Sequence, residues 1–187
     1  MHKQIWKLQI ELLDYWHIGS GRGRGTHLDA VVDRDSHSLP YVPGKMLKGL
    51  LRNAAHCLVQ WKHFDQDTLT KIFGSETNIG VIAVSDARLQ DEVAAYLSGA
   101  GQAHLREQLF TEHFSTAIDV DSGNAKDKSL RGIELVIPCK LIAELEIPKD
   151  SPQEFIELLQ QTVPLVRSLG AHRSRGLGRC VLSLVKG

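Results

Sequence analysis

Along the first fifteen residues hydrophobic and polar side chains alternate. Leu8, Ile10 and Leu12 fall on one side and Lys7, Gln9 and Glu11 on the other, the period of two expected of a half-buried strand. The alternation ends at residues 17–44, a polar stretch with five glycines and two prolines, too punctuated to form a core element and long enough to be functional. The period then changes. From Pro43 onward Met46, Leu47, Leu50, Leu51, Ala54, Leu58 and Trp61 recur on one helical face, with Lys45, Lys48 and Arg52 opposite or at its start. A short helix from Asp65 closes at Phe73-Gly74-Ser75, and residues 80–89 predict a second strand. Residues 90–111 read as irregular helical material interrupted by Gly99 and Gly101. A long polar insertion, 111–134, precedes a strand over 134–147, where Leu141, Ala143 and Leu145 alternate with Lys140, Glu144 and Glu146. Ser151-Pro152 starts a helix that Pro164 should kink or break. A strand over 179–185 ends the chain.

Strand, helix, strand, excursion, strand, helix, strand predicts an α+β fold: a ferredoxin-like, RRM-like four-stranded antiparallel sheet with two helices, plus long loop insertions. At 187 residues the chain suits one domain, 1–187.

Composition narrows the function. Lys plus Arg and Asp plus Glu both number 22, so a field covering the whole molecule does not drive binding to nucleic acid, and local clusters must. Those clusters are Arg22 and Arg24; Lys45, Lys48 and Arg52; Lys126, Lys128 and Arg131; and Arg173, Arg175 and Arg179. Cys57, Cys139 and Cys180 show no CxxC spacing, which points to reduced thiols and away from a disulfide framework or thiolate zinc site. No apolar leader or membrane-length run occurs, so the expected compartment is the cytoplasm.

Three constellations could carry chemistry. Residues 17–25 (HIGSGRGRG) combine glycines that let a phosphate approach backbone amides with two arginines for its oxygens. The run lacks the Gly-Lys-Ser/Thr ending of a P-loop, and a surface loop explains it equally. Residues 39–52 (LPYVPGKMLKGLLR) set Lys45, Lys48 and Arg52 near a helix N-terminus, where phosphates of a single strand could sit; a solvated basic helix face is the alternative. Residues 169–179 (LGAHRSRGLGR) place three arginines among glycines, which a tight turn alone does not require.

PYVPGKMLKGLLR resembles the "PyIPGSSLKGxxR" element of the RAMP superfamily of CRISPR-associated proteins. FGS at 73–75 is similar to the short motif that follows it there. Residues 116–125 (TAIDVDSGNA) and 130–134 resemble the protruding thumb of backbone subunits, which sets a thumb-like insertion at about 111–134. Residues 169–179 are similar to the C-terminal "lGxxxsRGxGr" loop.

The resemblance implies a backbone subunit of a type III effector complex. Its partners would be CRISPR RNA, target RNA, copies of itself and other effector subunits, with no membrane. In that subgroup an aspartate ahead of the basic helix cuts target RNA. DAVVDRD at 29–35 puts Asp29 there, as catalytic residue and as ligand of a divalent metal, magnesium by expectation. Ala30-Val31 depart from the family's Pro-containing pattern, as do Lys45-Met46 from its paired serines. Asp33 and Asp35 could cap turns. Ala125 and Leu130 of the thumb could wedge between bases, while Tyr15 and Trp16 read as core or interface residues. His17, His27 and His37 flank the Gly-Arg loop as alternative general acids. Two further readings stay open: a non-catalytic backbone or capping subunit, and an endoribonuclease that processes CRISPR RNA through a histidine.

Overall fold

The computed structural model describes residues 2–24, 28–127 and 129–186. Strand β1 (Lys3–Leu12) follows the expected alternation, with every second side chain from Trp6 to Leu12 buried. It occupies the middle of a four-stranded antiparallel sheet with β2 (Ala83–Val84), β5 (Lys140–Pro148) and β6 (Cys180–Lys186), in the order β2-β5-β1-β6. Counting only these four strands, that order is 2-3-1-4, the ferredoxin-like arrangement.

Helix α1 (Gly44–Gln60) buries Leu47, Leu51, Ala55 and Leu58. The buried stripe is narrower than the sequence suggests. Met46, Leu50 and Ala54 are only partly buried against the core, and Trp61 is 60% exposed at the C-cap. Helix α2 (Gln66–Phe73) is capped by the Asp65 carboxylate, which accepts from Thr68 N at 2.6 Å; this bond lowers the Asp65 pKa. Helix α5 (Gln153–Thr162) packs beside α1. Past it the chain tightens into a 3-10 turn at Val163–Leu165, as Pro164 requires. The region 90–111 forms α3 (Asp91–Ser98) and α4 (Ala103–Glu107).

Two expected strands are cut short, each for a visible reason. Of residues 80–89 only Ala83–Val84 pairs as a strand. Ser85 N still donates to Glu144 O, but Asp86 leaves the ladder and its carboxylate accepts from Gly44 N at the start of α1, before Arg88 and Ile142 exchange backbone hydrogen bonds. Residues 134–147 divide at Pro138, which has no N–H to donate. The first part is the end of β4 (Arg131–Val136), which pairs with β3 (Phe110–Ser115) as a separate two-stranded ribbon; the second is β5. The ribbon is the base of the 111–134 insertion. It is joined to the core where Trp16 and Val136 exchange backbone hydrogen bonds and Trp16, fully buried, donates Nε1–H to Ile137 O.

Cys139 and Cys180 sit against this core, and burial pushes both thiols up to about 11. Neither is a thiolate near neutral pH. Among the described residues no helix is long and apolar enough to cross a membrane.

Candidate nucleic-acid interface

The Gly-Arg loop folds back on itself. Ser20 N donates to Val31 O, Val31 N to Arg22 O and Arg24 N to Leu28 O, so residues 18–24 and 28–33 run as two antiparallel arms. The second arm lies along β4: Asp29 N donates to Gly132 O at 2.8 Å and Glu134 N to Ala30 O at 2.9 Å. Asp29 is fixed at both ends, because its Oδ2 accepts from Gly132 N at 2.9 Å. Among the described residues its other oxygen takes no hydrogen bond, and the side chain is exposed.

Asp29 opens into a cleft of about 320 Å³ whose other charged or titratable lining groups are His113, Arg131, His172 and Arg175. Strand alternation explains two of them. His113 and Ser115 on β3 pair with Ile133 and Arg131 on β4, so all four side chains share one ribbon face. His172 and Arg175 come from the loop ahead of β6, which is held by two close approaches. Gly170 (φ +83°) and Gly178 (φ +70°) lie so near the carbonyls of His17 and Leu169 that a Cβ would run into them. Ala171 N donates to His17 O at 2.9 Å, and the buried His17 ring donates Nδ1–H to Glu134 O at 2.6 Å. His172 itself is left-handed at φ +56°, an unusual conformation for a residue with a side chain. Among the described residues Asp29, His113, Arg131, His172 and Arg175 form no ion pair with one another or with a neighbour.

A second, more open groove runs along the two arms of the Gly-Arg loop. Arg22, Arg24, Asp33, Arg34 and Glu134 line it, and Gly23, between the two exposed arginines, lies against the carbonyls of Leu28 and Asp29. Guanidinium groups that form no ion pair among the described residues therefore flank the Asp29 segment on both sides, an arrangement that suits a polyanion passing over it.

The remaining expected residues are dispersed. Lys45 and Arg52 are exposed on α1. Lys48 turns inward and donates Nζ–H to Ile82 O at 2.9 Å; burial, and then the Arg52 charge, lower its pKa. The start of α1 is not an open anion site, since Asp86 already occupies it. Arg173 is exposed beside the cleft, while Arg179 faces elsewhere and pairs with Asp14 at 3.0 Å. Lys126 is exposed in the insertion, alongside the apolar Ile118, Val120 and Leu130, and Val120 is 95% exposed. Lys128 and His27 lie outside the described residues.

Of the other acidic candidates, Asp33 accepts from Tyr41 Oη at 2.7 Å. Asp35 caps a turn by accepting from His37 N and Leu39 N and pairs with Arg88. His17 is buried and His37 lines a different hollow, with Asp35 and Arg88. The imidazoles that meet Asp29 are His113 and His172, which the sequence did not single out. His172 stood inside the GAHRSRG loop, but His113 had no signal of its own.

The magnesium ion expected at Asp29 would have that single carboxylate, phosphate oxygens of a bound strand and water as its ligands. Among the described residues no three His, Cys, Asp or Glu side chains converge on a metal position.

Comparison with known proteins adds a family and a shape. The model of the RAMP superfamily matches residues 9–181. A chain of the type III-B Cmr-beta complex bound to cognate target RNA superimposes with a TM-score of 0.72 at 14% identity, covering 96% of each chain. A chain of the same complex in its apo state gives 0.72 and 14%, covering 98% of each. No curated protein gives a significant match.

Proposed function

The chain belongs to the RAMP superfamily, and on that premise we propose that it is a guide-binding backbone subunit of a type III CRISPR effector complex that cuts guide-paired target RNA at Asp29. The solved chains that share its fold come from a complex of that type, one of them with cognate target RNA. The observation that carries the proposal is the setting of Asp29. Among the described residues it is the one carboxylate lining the cleft, its backbone and one oxygen are fixed to β4, and arginines that form no ion pair with those residues stand on both sides.

The chemistry follows from what a lone carboxylate can do. Asp29 accepts the proton of a ribose 2′-OH as that oxygen attacks the adjacent phosphorus, forming a 2′,3′-cyclic phosphate. Arg131 and Arg175 hold the non-bridging oxygens, where charge accumulates. The P–O5′ bond breaks and the 5′-oxygen leaves. A regular A-form helix prevents in-line attack, so the target strand must be splayed at this point. The exposed apolar residues of the insertion, Ile118, Val120 and Leu130, are suited to wedging between bases. Arg22, Arg24 and Arg173 contact the backbone on either side, and Lys45, Arg52 and Lys126 add further cationic positions.

The test is a complex reconstituted with a guide. Wild type should cut complementary RNA at regular intervals and leave cyclic-phosphate ends, and Asp29→Ala should bind guide and target normally but not cut. Cutting by the variant at the wild-type rate overturns the assignment of Asp29.

A further inference from the structure

Transfer of a proton to Asp29 leaves half of the reaction unassigned, because the departing 5′-oxygen also needs one. We propose that His172 is the general acid that supplies it. This inference rests on the cleavage reading of the same cleft.

Two imidazoles line the cleft with Asp29, and the structure distinguishes them. His113 stands on the outer strand of a two-stranded ribbon whose residues from Thr111 to Ser115 are all exposed. His172 is also exposed, but its loop is anchored to the core. The His172 carbonyl accepts from Arg175 N at 2.8 Å, which closes the 3-10 turn, and the preceding residue is bonded to the buried His17. Gly170 seats the loop directly on the His17 carbonyl. Through His17 and its bond to Glu134 O, the loop is referenced to the strand that fixes Asp29. An acid and a base that share one anchored strand keep their separation, which proton transfer at both ends of one phosphate demands. The left-handed φ of +56° at His172 is a conformational cost of the kind found at functional positions, where surrounding structure holds a residue out of its preferred region.

The step balances without an added reactant. The 2′-oxygen gives its proton to Asp29 and forms a bond to phosphorus; the P–O5′ bond breaks; the 5′-oxygen takes a proton from the His172 imidazolium. Solvent then returns Asp29 and His172 to their starting states. Arg131, Arg175 and the neighbouring Arg173 neutralise the phosphate, and Asp29 and His113 complete the titratable groups that line the cleft with His172.

The decisive experiment compares two target RNAs in the reconstituted complex: the natural linkage and one in which sulfur replaces the bridging 5′-oxygen, a leaving group that departs without protonation. His172→Asn suits the test, because asparagine tolerates the left-handed region and has no titratable proton to transfer to the leaving oxygen. The variant should bind guide and target normally and cut the natural linkage roughly 100-fold or more slowly. It should cut the sulfur linkage at close to the wild-type rate. The alkaline limb of the wild-type pH–rate profile, where a histidine acid loses its proton, should vanish in the variant.

Wild-type cutting of the natural linkage by His172→Asn overturns the proposal, as does an equal defect on both linkages. Rescue by sulfur confined to His113→Asn transfers the role to that residue and overturns it too. Asp29→Ala separates the two levels. If that variant is inactive and His172→Asn is not, this inference fails alone; if Asp29→Ala cuts normally, the cleavage reading fails with it.

Discussion

On one face of β4, Glu134 is 4% exposed, accepts from Val32 N at 2.9 Å and pairs with Arg34 at 2.7 Å. The Arg34 guanidinium also lies 3.6 Å from the Phe110 ring centroid and reaches Glu107. On the other face, three residues back along the strand, Arg131 stands exposed, and among the described residues it and the other charged cleft groups form no ion pair. The same ribbon thus carries charge in two conditions. A buried charge must be matched, since an unmatched one is costly to desolvate, whereas an exposed charge is free to be matched by something outside the chain. Pairing status therefore divides residues of one chemical type into those matched within the chain and those open to an outside partner. Arg34, Arg88 and Arg179 have carboxylate partners; among the described residues Arg131 and Arg175 have none.

Substitution on each face should give opposite signatures. Asp29→Asn should lower target cutting by roughly 100-fold to 10,000-fold, with unfolding by denaturant unchanged because the amide oxygen still accepts from Gly132 N. Glu134→Ala should cost roughly 3–5 kcal/mol in the same unfolding measurement, because Arg34 loses its buried partner and Val32 N its acceptor. A stable Glu134→Ala protein, or an unstable Asp29→Asn protein, would break the division.

Smaller effects test how the faces are joined and used. Gly170→Ala should lose about 2 kcal/mol from left-handed strain and the clash with His17, and should slow cutting more than Glu11→Ala on the outer sheet face. Arg131→Ala and Arg175→Ala should each weaken binding of single-stranded RNA and flatten the slope of log affinity against log salt by about 0.7. Arg88→Ala, removing a cation already paired with Asp35 and Asp86, should leave that slope unchanged. Tyr41→Phe should cost about 1 kcal/mol. The bond to Asp33 and partial burial raise the Tyr41 pKa from 10.0 to about 12. The contribution of that bond is thus complete below about pH 10 and lost as pH rises through 12, which an absorbance titration of the phenol would follow.

The sequence by itself determined the elements whose two faces differ. β1, β5, α1 and α5 bury every second residue or one helical stripe, so period alone exposes them, and the ferredoxin-like order follows. The PYVPGKMLKGLLR, FGS and GAHRSRGLG runs also pointed to the family, and DAVVDRD and GAHRSRGLG to two of the loops that meet at the cleft. Strand β3 escaped because FTEHFS buries neither face, and a strand without a buried side leaves no alternation to read. Only the tertiary structure decided which titratable groups share the cleft. Asp29, His113 and His172 are separated by 84 and 59 residues in the chain, and they meet because the 28–33 arm pairs with β4, β4 pairs with β3, and Gly170 seats the last loop on His17. Each of these contacts is a backbone hydrogen bond or a close backbone approach, and neither depends on the side-chain pattern that sequence periodicity records.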